Sequence, residues 1–125
     1  MSQHILIVDD EKNIAISVDY LLRREGYQVS VAHDGEEGLR LIQSDRPDLV
    51  LLDIMMPKLN GFQVCEAVRQ NPALADVRIV MLTAKGRDAE KEKGLALGAD
   101  AYITKPFSTR ELVSQIKALL EPPAK

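Results

Sequence analysis

Leu49-Val50-Leu51-Leu52-Asp53-Ile54-Met55-Met56-Pro57-Lys58-Leu59-Asn60-Gly61 is an apolar run that stops on a carboxylate and then breaks into a loop. An unbroken apolar run of this length reads as a strand covered on both faces. An earlier run, Ile5-Leu6-Ile7-Val8, also stops on acid, at Asp9 and Asp10. Two later runs stop on Thr83 and on Lys105-Pro106. One strand ending on a carboxylate is ordinary. Acid, acid pair, hydroxyl and ammonium offered to one edge of a sheet point to an active site.

Working outward from that stretch, strands and helices alternate five times. The strand candidates are Ile5–Val8, Gln28–Val31, Leu49–Leu52, Ile79–Leu82 and Tyr102–Ile103. Ile14, Val18, Leu21 and Leu22 share one helix face, ended by Gly26. Leu39 and Ile42 mark a second helix, stopped before Pro47. Val64, Cys65 and Val68 mark a third, stopped before Pro72. Ala89, Lys93 and Ala96, with Leu95 and Leu97, mark a weaker fourth that ends at Gly98. Leu112, Val113, Ile116, Leu119 and Leu120 form the fifth, stopped at Pro122, with Ser108 or Thr109 as its cap. This alternation predicts an α/β domain, a parallel sheet with helices on both faces. The second run alternates and the fifth is short, so both belong at sheet edges. The order that follows is 2-1-3-4-5, doubly wound, with the topological switch between strands one and three. Ligands of such sheets sit at the carboxyl ends of the strands there, which are Asp9-Asp10 and Asp53.

The chain has 125 residues, the size of one domain with a full core. Residues 1–121 read as that domain and 122–125 as a tail or linker stub. Apolar residues make up 46% and charged ones 28%, the balance of a soluble globular protein. The net charge of −3 comes without a basic cluster, which argues against direct nucleic-acid binding. A single cysteine, Cys65, forms no internal disulfide and reads as a buried structural thiol. Met1-Ser2-Gln3-His4 leads into the first strand with no leader, lipidation signal or long apolar segment, so the expectation is cytoplasmic and not membrane-bound.

Converging carboxylates need a counterion. Two like charges about 4 Å apart repel by roughly 4 kcal/mol at an effective dielectric near 20. Asp9 and Asp10 alone could be solvated loop acids; Asp53 at the adjacent strand end favours a metal site. Hard oxygen ligands with room for water suit Mg²⁺ better than a transition metal. Mg²⁺, three aspartates and Lys105 would together carry no net charge. Such a site is a poor general-base cleft and a good phosphoryl acceptor, because a carboxylate can attack phosphorus. The metal and Lys105 would hold the equatorial oxygens. A phosphorylated Asp53 would carry about −2 instead of −1. Thr83 is available to donate to the added charge. The Lys105–Pro106 bond is one that can adopt cis at low cost and so fix the turn.

Asp9-Asp10, Asp53 with Met56-Pro57 and Gly61, Thr83-Ala84, and Lys105-Pro106-Phe107 resemble the receiver domain of two-component response regulators over essentially the whole chain. Separated motifs in this order are specific where any single one would be weak. By that resemblance Asp53 is the phosphoacceptor, supplied by a sensor histidine kinase. Asp10 and Asp53 would be side-chain Mg²⁺ ligands, the backbone carbonyl of Met55 a third, and Asp9 would hold metal-bound water. Lys105 would contact the phosphoryl group, beside Ala84. Thr83 and Tyr102 match the family's switch pair, and Met55 and Lys85 occupy positions that tune phosphate loss. The segment Gly98–Phe107 is similar to the winged-helix transcription-factor subfamily, which implies an output domain or effector protein. It also implies a homodimer through the fourth helix, fifth strand and fifth helix. Lys91 and Glu111 match one intersubunit ion pair of that dimer. Ala101, Gln115 and Pro122 depart from the others, although Asp100 is present.

Two other functions compete. An aspartyl-phosphate phosphohydrolase would carry its nucleophile and acid on the first strand as Asp-x-Asp, and here those acids are adjacent. A flavin-binding module of the same topology would need a Gly, Ser and Thr-rich phosphate loop after the first strand. That loop reads Asp9-Asp10-Glu11-Lys12-Asn13, which repels phosphate in the absence of a metal.

Overall fold

The computed structural model describes residues 3–56, 58–84, 86 and 88–120. Pro57 and Lys85, and Pro122 with the rest of the 122–125 tail, lie outside the described residues. Among the described residues five strands and five α-helices alternate: β1 (His4–Val8), α1 (Lys12–Arg24), β2 (Gln28–Ala32), α2 (Gly35–Asp45), β3 (Leu49–Asp53), α3 (Gly61–Arg69), β4 (Arg78–Ala84), α4 (Asp88–Ala96), β5 (Ala101–Lys105) and α5 (Thr109–Leu120), with a short 3-10 turn at Pro72–Leu74. The sheet is parallel throughout and ordered β2-β1-β3-β4-β5, as the strand textures predict. β3 is buried along its whole length, and β1 and β4 nearly so, because helices cover both faces.

Side-chain alternation along each strand divides the core in two. Leu6, Val8, Val50, Leu52, Ile79 and Met81 meet Ile42 of α2 and Val64, Cys65 and Val68 of α3. Ile5, Ile7, Leu49, Leu51, Val80 and Leu82 meet Val18 and Leu22 of α1 and Leu112 and Ile116 of α5. Cys65 is the buried thiol the sequence suggests. Gly26, at φ 95°, follows α1 in the left-handed conformation that ends helices. Of the two candidate caps for α5, Ser108 does the work: its Oγ accepts from the Glu111 N–H at 3.0 Å.

The fourth helix departs from the sequence reading. Ala89, Lys93 and Ala96 are all exposed, and the buried residue is Gly94. A Cβ on Gly94 would stand 3.2 Å from Met81 Cγ, so the helix approaches β4 through its glycine. Leu95 faces solvent and Leu97, beyond the helix end, packs into the core instead. Periodicity counts large apolar side chains, and a contact made by a missing side chain gives it no signal. No helix among the described residues is long and apolar enough to cross a membrane.

Candidate functional site

Parallel pairing carries every strand to the same edge. Val8 pairs with Leu52, so the residues that follow, Asp9 and Asp53, emerge side by side. Asp53 pairs with Leu82, and Ala84 pairs with Lys105, which brings Thr83 and Lys105 to that edge as well. The Asp9 N–H donates to the Ala32 carbonyl at 3.1 Å, holding the first acid at the sheet end. One carboxylate oxygen from each of Asp9, Asp10 and Asp53 lies within 4.8 Å of the others. Asp9 is 0% exposed and Asp53 6%, whereas Asp10 faces solvent.

Lys105 reaches into the acids. Its Nζ lies 3.1 Å from Asp9 Oδ2, 3.1 Å from Glu11 Oε1 and 3.5 Å from Asp53 Oδ1. Burial alone would lower the ammonium's pKa, but the charges of Asp53 and Asp9 outweigh it and the pKa is raised. Asp53 moves the same way for a different reason. Burial, aided by the charge of Asp9 and opposed by Lys105, pushes its carboxyl from an ordinary 3.8 up to about 7. A lone ammonium therefore does not offset the crowded acids. An added divalent cation would, and three hard oxygen donors, one of them open to water, suit Mg²⁺.

The loop after β3 is held from two sides. Gly61 opens α3 with its N–H donating to the Ile54 carbonyl at 2.9 Å. A Cβ there would come 2.5 Å from the Asp53 carbonyl oxygen, so only glycine lets α3 start this close to Asp53. Asn60 and Gln63 form a capping box on the same turn. On the other side Asp34 caps α2 and receives Lys58 Nζ at 3.6 Å. Between the loop, β4 and β5 lies a cleft of about 160 Å³ whose lining includes Asp53, Met55, Ala84 and Lys105.

Thr83 is 1% exposed, and its hydroxyl has no hydrogen-bond partner among the described residues. A buried hydroxyl without a partner costs free energy, so its presence at a site edge asks for a reason. Tyr102, on β5, turns its ring outward, with Lys91 Nζ 5.0 Å from the ring centre. The Lys105–Pro106 peptide is cis. Met55 stands two residues beyond Asp53 with an exposed side chain. On the α4 side, Lys91 also pairs with Asp88 at 3.6 Å. Asp100 Oδ2 accepts from Arg69 Nη2 at 2.8 Å and from the Ile79 N–H at 2.7 Å, so it is engaged within the chain.

The structure thus brings together Asp9, Asp10, Asp53, Thr83, Ala84 and Lys105, and leaves Tyr102 facing outward on the last strand. Glu11 is a site neighbour that the sequence marks only as a loop acid where the first helix begins. Its only signal was position, one residue beyond the acid pair, where it becomes the N-cap residue of α1.

Comparisons with known proteins agree with this fold. The chain is 48% identical over 120 residues to the alkaline phosphatase synthesis transcriptional regulatory protein PhoP of Bacillus subtilis, covering 96% of this chain and 49% of that protein. It therefore spans about half the length of that relative. A crystal structure assigned as a response regulator from Chloroflexus aurantiacus matches with a TM-score of 0.92 at 38% identity, covering 96% of this chain and 98% of that one. The chemotaxis protein CheY4 of Vibrio cholerae matches with a TM-score of 0.89 at 33% identity, covering 96% of this chain and 100% of that one. The profile of the response regulator receiver domain matches residues 5–117, from the first strand into the last helix, and the chain belongs to that family.

Proposed function

We propose that this chain is a phosphoacceptor switch in which Asp53 takes a phosphoryl group from a sensor histidine kinase or a small phosphodonor. The observation that carries the reading is the convergence of Asp9, Asp10 and Asp53 with the Lys105 ammonium at one sheet edge. Asp10, Asp53 and the Met55 backbone carbonyl would hold Mg²⁺, with Asp9 beside them. When bound, Mg²⁺ would neutralise charge on the phosphoryl oxygens.

The remaining chemistry belongs to the chain. The Asp53 carboxylate attacks phosphorus and the donor's leaving group departs with its electron pair. Lys105 stays against the acceptor and meets the equatorial oxygens. The phosphoryl group leaves Asp53 with more negative charge than before, and the unpartnered Thr83 hydroxyl is the nearby donor it lacks. Movement of Thr83 frees room for Tyr102 to turn inward, altering the face built by α4, β5 and α5, where an output domain, an effector or a second copy would bind. Pro106 shapes the turn that follows Lys105. Residues 1–121 act as the receiver domain, in the cytoplasm.

The test is incubation with acetyl phosphate and Mg²⁺ followed by mass mapping. One phosphoryl group on Asp53, absent in Asp53→Asn, is the expected result. Undiminished incorporation in Asp53→Asn would move the acceptor elsewhere, and steady turnover of a generic phosphomonoester would favour a hydrolase.

A further inference from the structure

The cleft above Asp53 has an acidic mouth. Besides Asp53 and Lys105, its lining includes Glu11 and Glu90. Glu11 is not among the three acids whose oxygens cluster, yet its Oε1 holds Lys105 Nζ at 3.1 Å. The other carboxylates on that ammonium, Asp9 and Asp53, are buried, whereas the Glu11 side chain is 59% exposed. Its backbone is fixed from below: the Glu11 N–H donates to Asp9 Oδ1 at 2.9 Å. Glu11 is thereby a fixed negative charge at the boundary between water and the acceptor, hooked to the cation that an entering phosphoryl group must meet.

We propose that Glu11 determines which phosphodonors the site accepts, disfavouring free donors that carry two negative charges. The inference rests on Asp53 being the acceptor. A donor approaching Asp53 passes the Glu11 carboxylate and competes with it for Lys105. The opposition grows with donor charge, so a dianion is penalised more than a monoanion. A donor presented on a partner protein would bring its own surroundings and escape part of that penalty.

Acetyl phosphate and phosphoramidate separate the charge effect from the chemistry. With acetyl phosphate, a dianion, a P–O bond forms to Asp53 as the acyl P–O bond breaks and acetate leaves with the electron pair. With phosphoramidate the protonated nitrogen lowers the net charge by one, and the P–N bond breaks to release ammonia. Initial rates of Asp53 phosphorylation are read by intact mass, with Mg²⁺ present, for the wild type and Glu11→Gln. The acetyl phosphate to phosphoramidate rate ratio should rise about two- to five-fold in Glu11→Gln, the range for an exposed charge. That rise should shrink at high ionic strength, and Glu11→Lys should extend it. Because both rates come from one protein sample, a partly unfolded variant leaves the ratio unchanged. A labelled wild type with the same ratio in both variants overturns the gate alone. No label on wild-type Asp53 from either donor overturns the acceptor reading, and the gate with it.

Discussion

Asp53 and Thr83 are buried polar groups that the resting protein leaves incompletely satisfied, and each makes a measurable demand. The folded Asp53 carboxyl is raised from 3.8 to about 7, so between those values the native state holds a proton that the unfolded chain has released. Metal-free protein should therefore lose stability as pH rises through that window. Asp53→Asn removes this contribution. Urea unfolding without Mg²⁺ should show the variant gaining on the wild type from about pH 4 to pH 7, by on the order of a few kcal/mol. A constant difference across that range would mean that Asp53 is not strained by its neighbours. Thr83 presents the opposite test. Thr83→Val keeps the shape and removes a hydroxyl that has no partner, so resting stability should hold or rise by about 1 kcal/mol. The phosphorylation-driven change, followed by amide exchange over α4 and β5, should be lost in the same variant. A large drop in resting stability would reveal a hydrogen bond already made by the hydroxyl.

The β3–α3 connection decides where Asp53 points, and α3 begins almost in contact with it. A methyl group at Gly61 would meet the Asp53 carbonyl and the Ile54 Cα, both backbone atoms that cannot rotate away. Gly61→Ala should cost about 1–3 kcal/mol, and calorimetric titration should show weaker Mg²⁺ binding because the loop after Asp53 has moved. Retained metal affinity with lost stability would separate the turn from the site. α4 differs from the other helices in burying only Gly94. It has little apolar area holding it to β4, which fits an element that a switch could shift with little loss of core.

Taken as one body, the domain stores repulsion at one sheet edge and stability in two apolar layers below it. A ligand that binds only the folded state stabilises it by mass action, about 2.7 kcal/mol at a hundredfold excess over Kd. Mg²⁺ should accordingly raise the thermal midpoint of the wild type, while Asp10→Ala should respond much less, as read by a melting series in increasing MgCl₂. An equal rise in both proteins would remove Asp10 from the ligand set. The architecture behind this was legible in the chain. Unbroken apolar runs at Ile5–Val8, Leu49–Leu52 and Ile79–Leu82 mean strands covered on both faces, and alternation with helices leaves few ways to wind them. Because parallel strands end on one edge, the acids at Asp9, Asp10 and Asp53 could be assigned a common crevice before any contact was known.

What one-dimensional pattern determined, then, was which residues are buried along strands and at which edge the strands end, since burial of apolar surface repeats with the period of the backbone. Folding alone decided the partners. Glu11 and Lys105 stand 94 positions apart, Arg69 and Asp100 stand 31 apart, and α4 turns its glycine inward where the pattern favoured alanines. Contacts between distant side chains depend on strand register and on how closely helices approach the sheet, and neither leaves a period in the sequence.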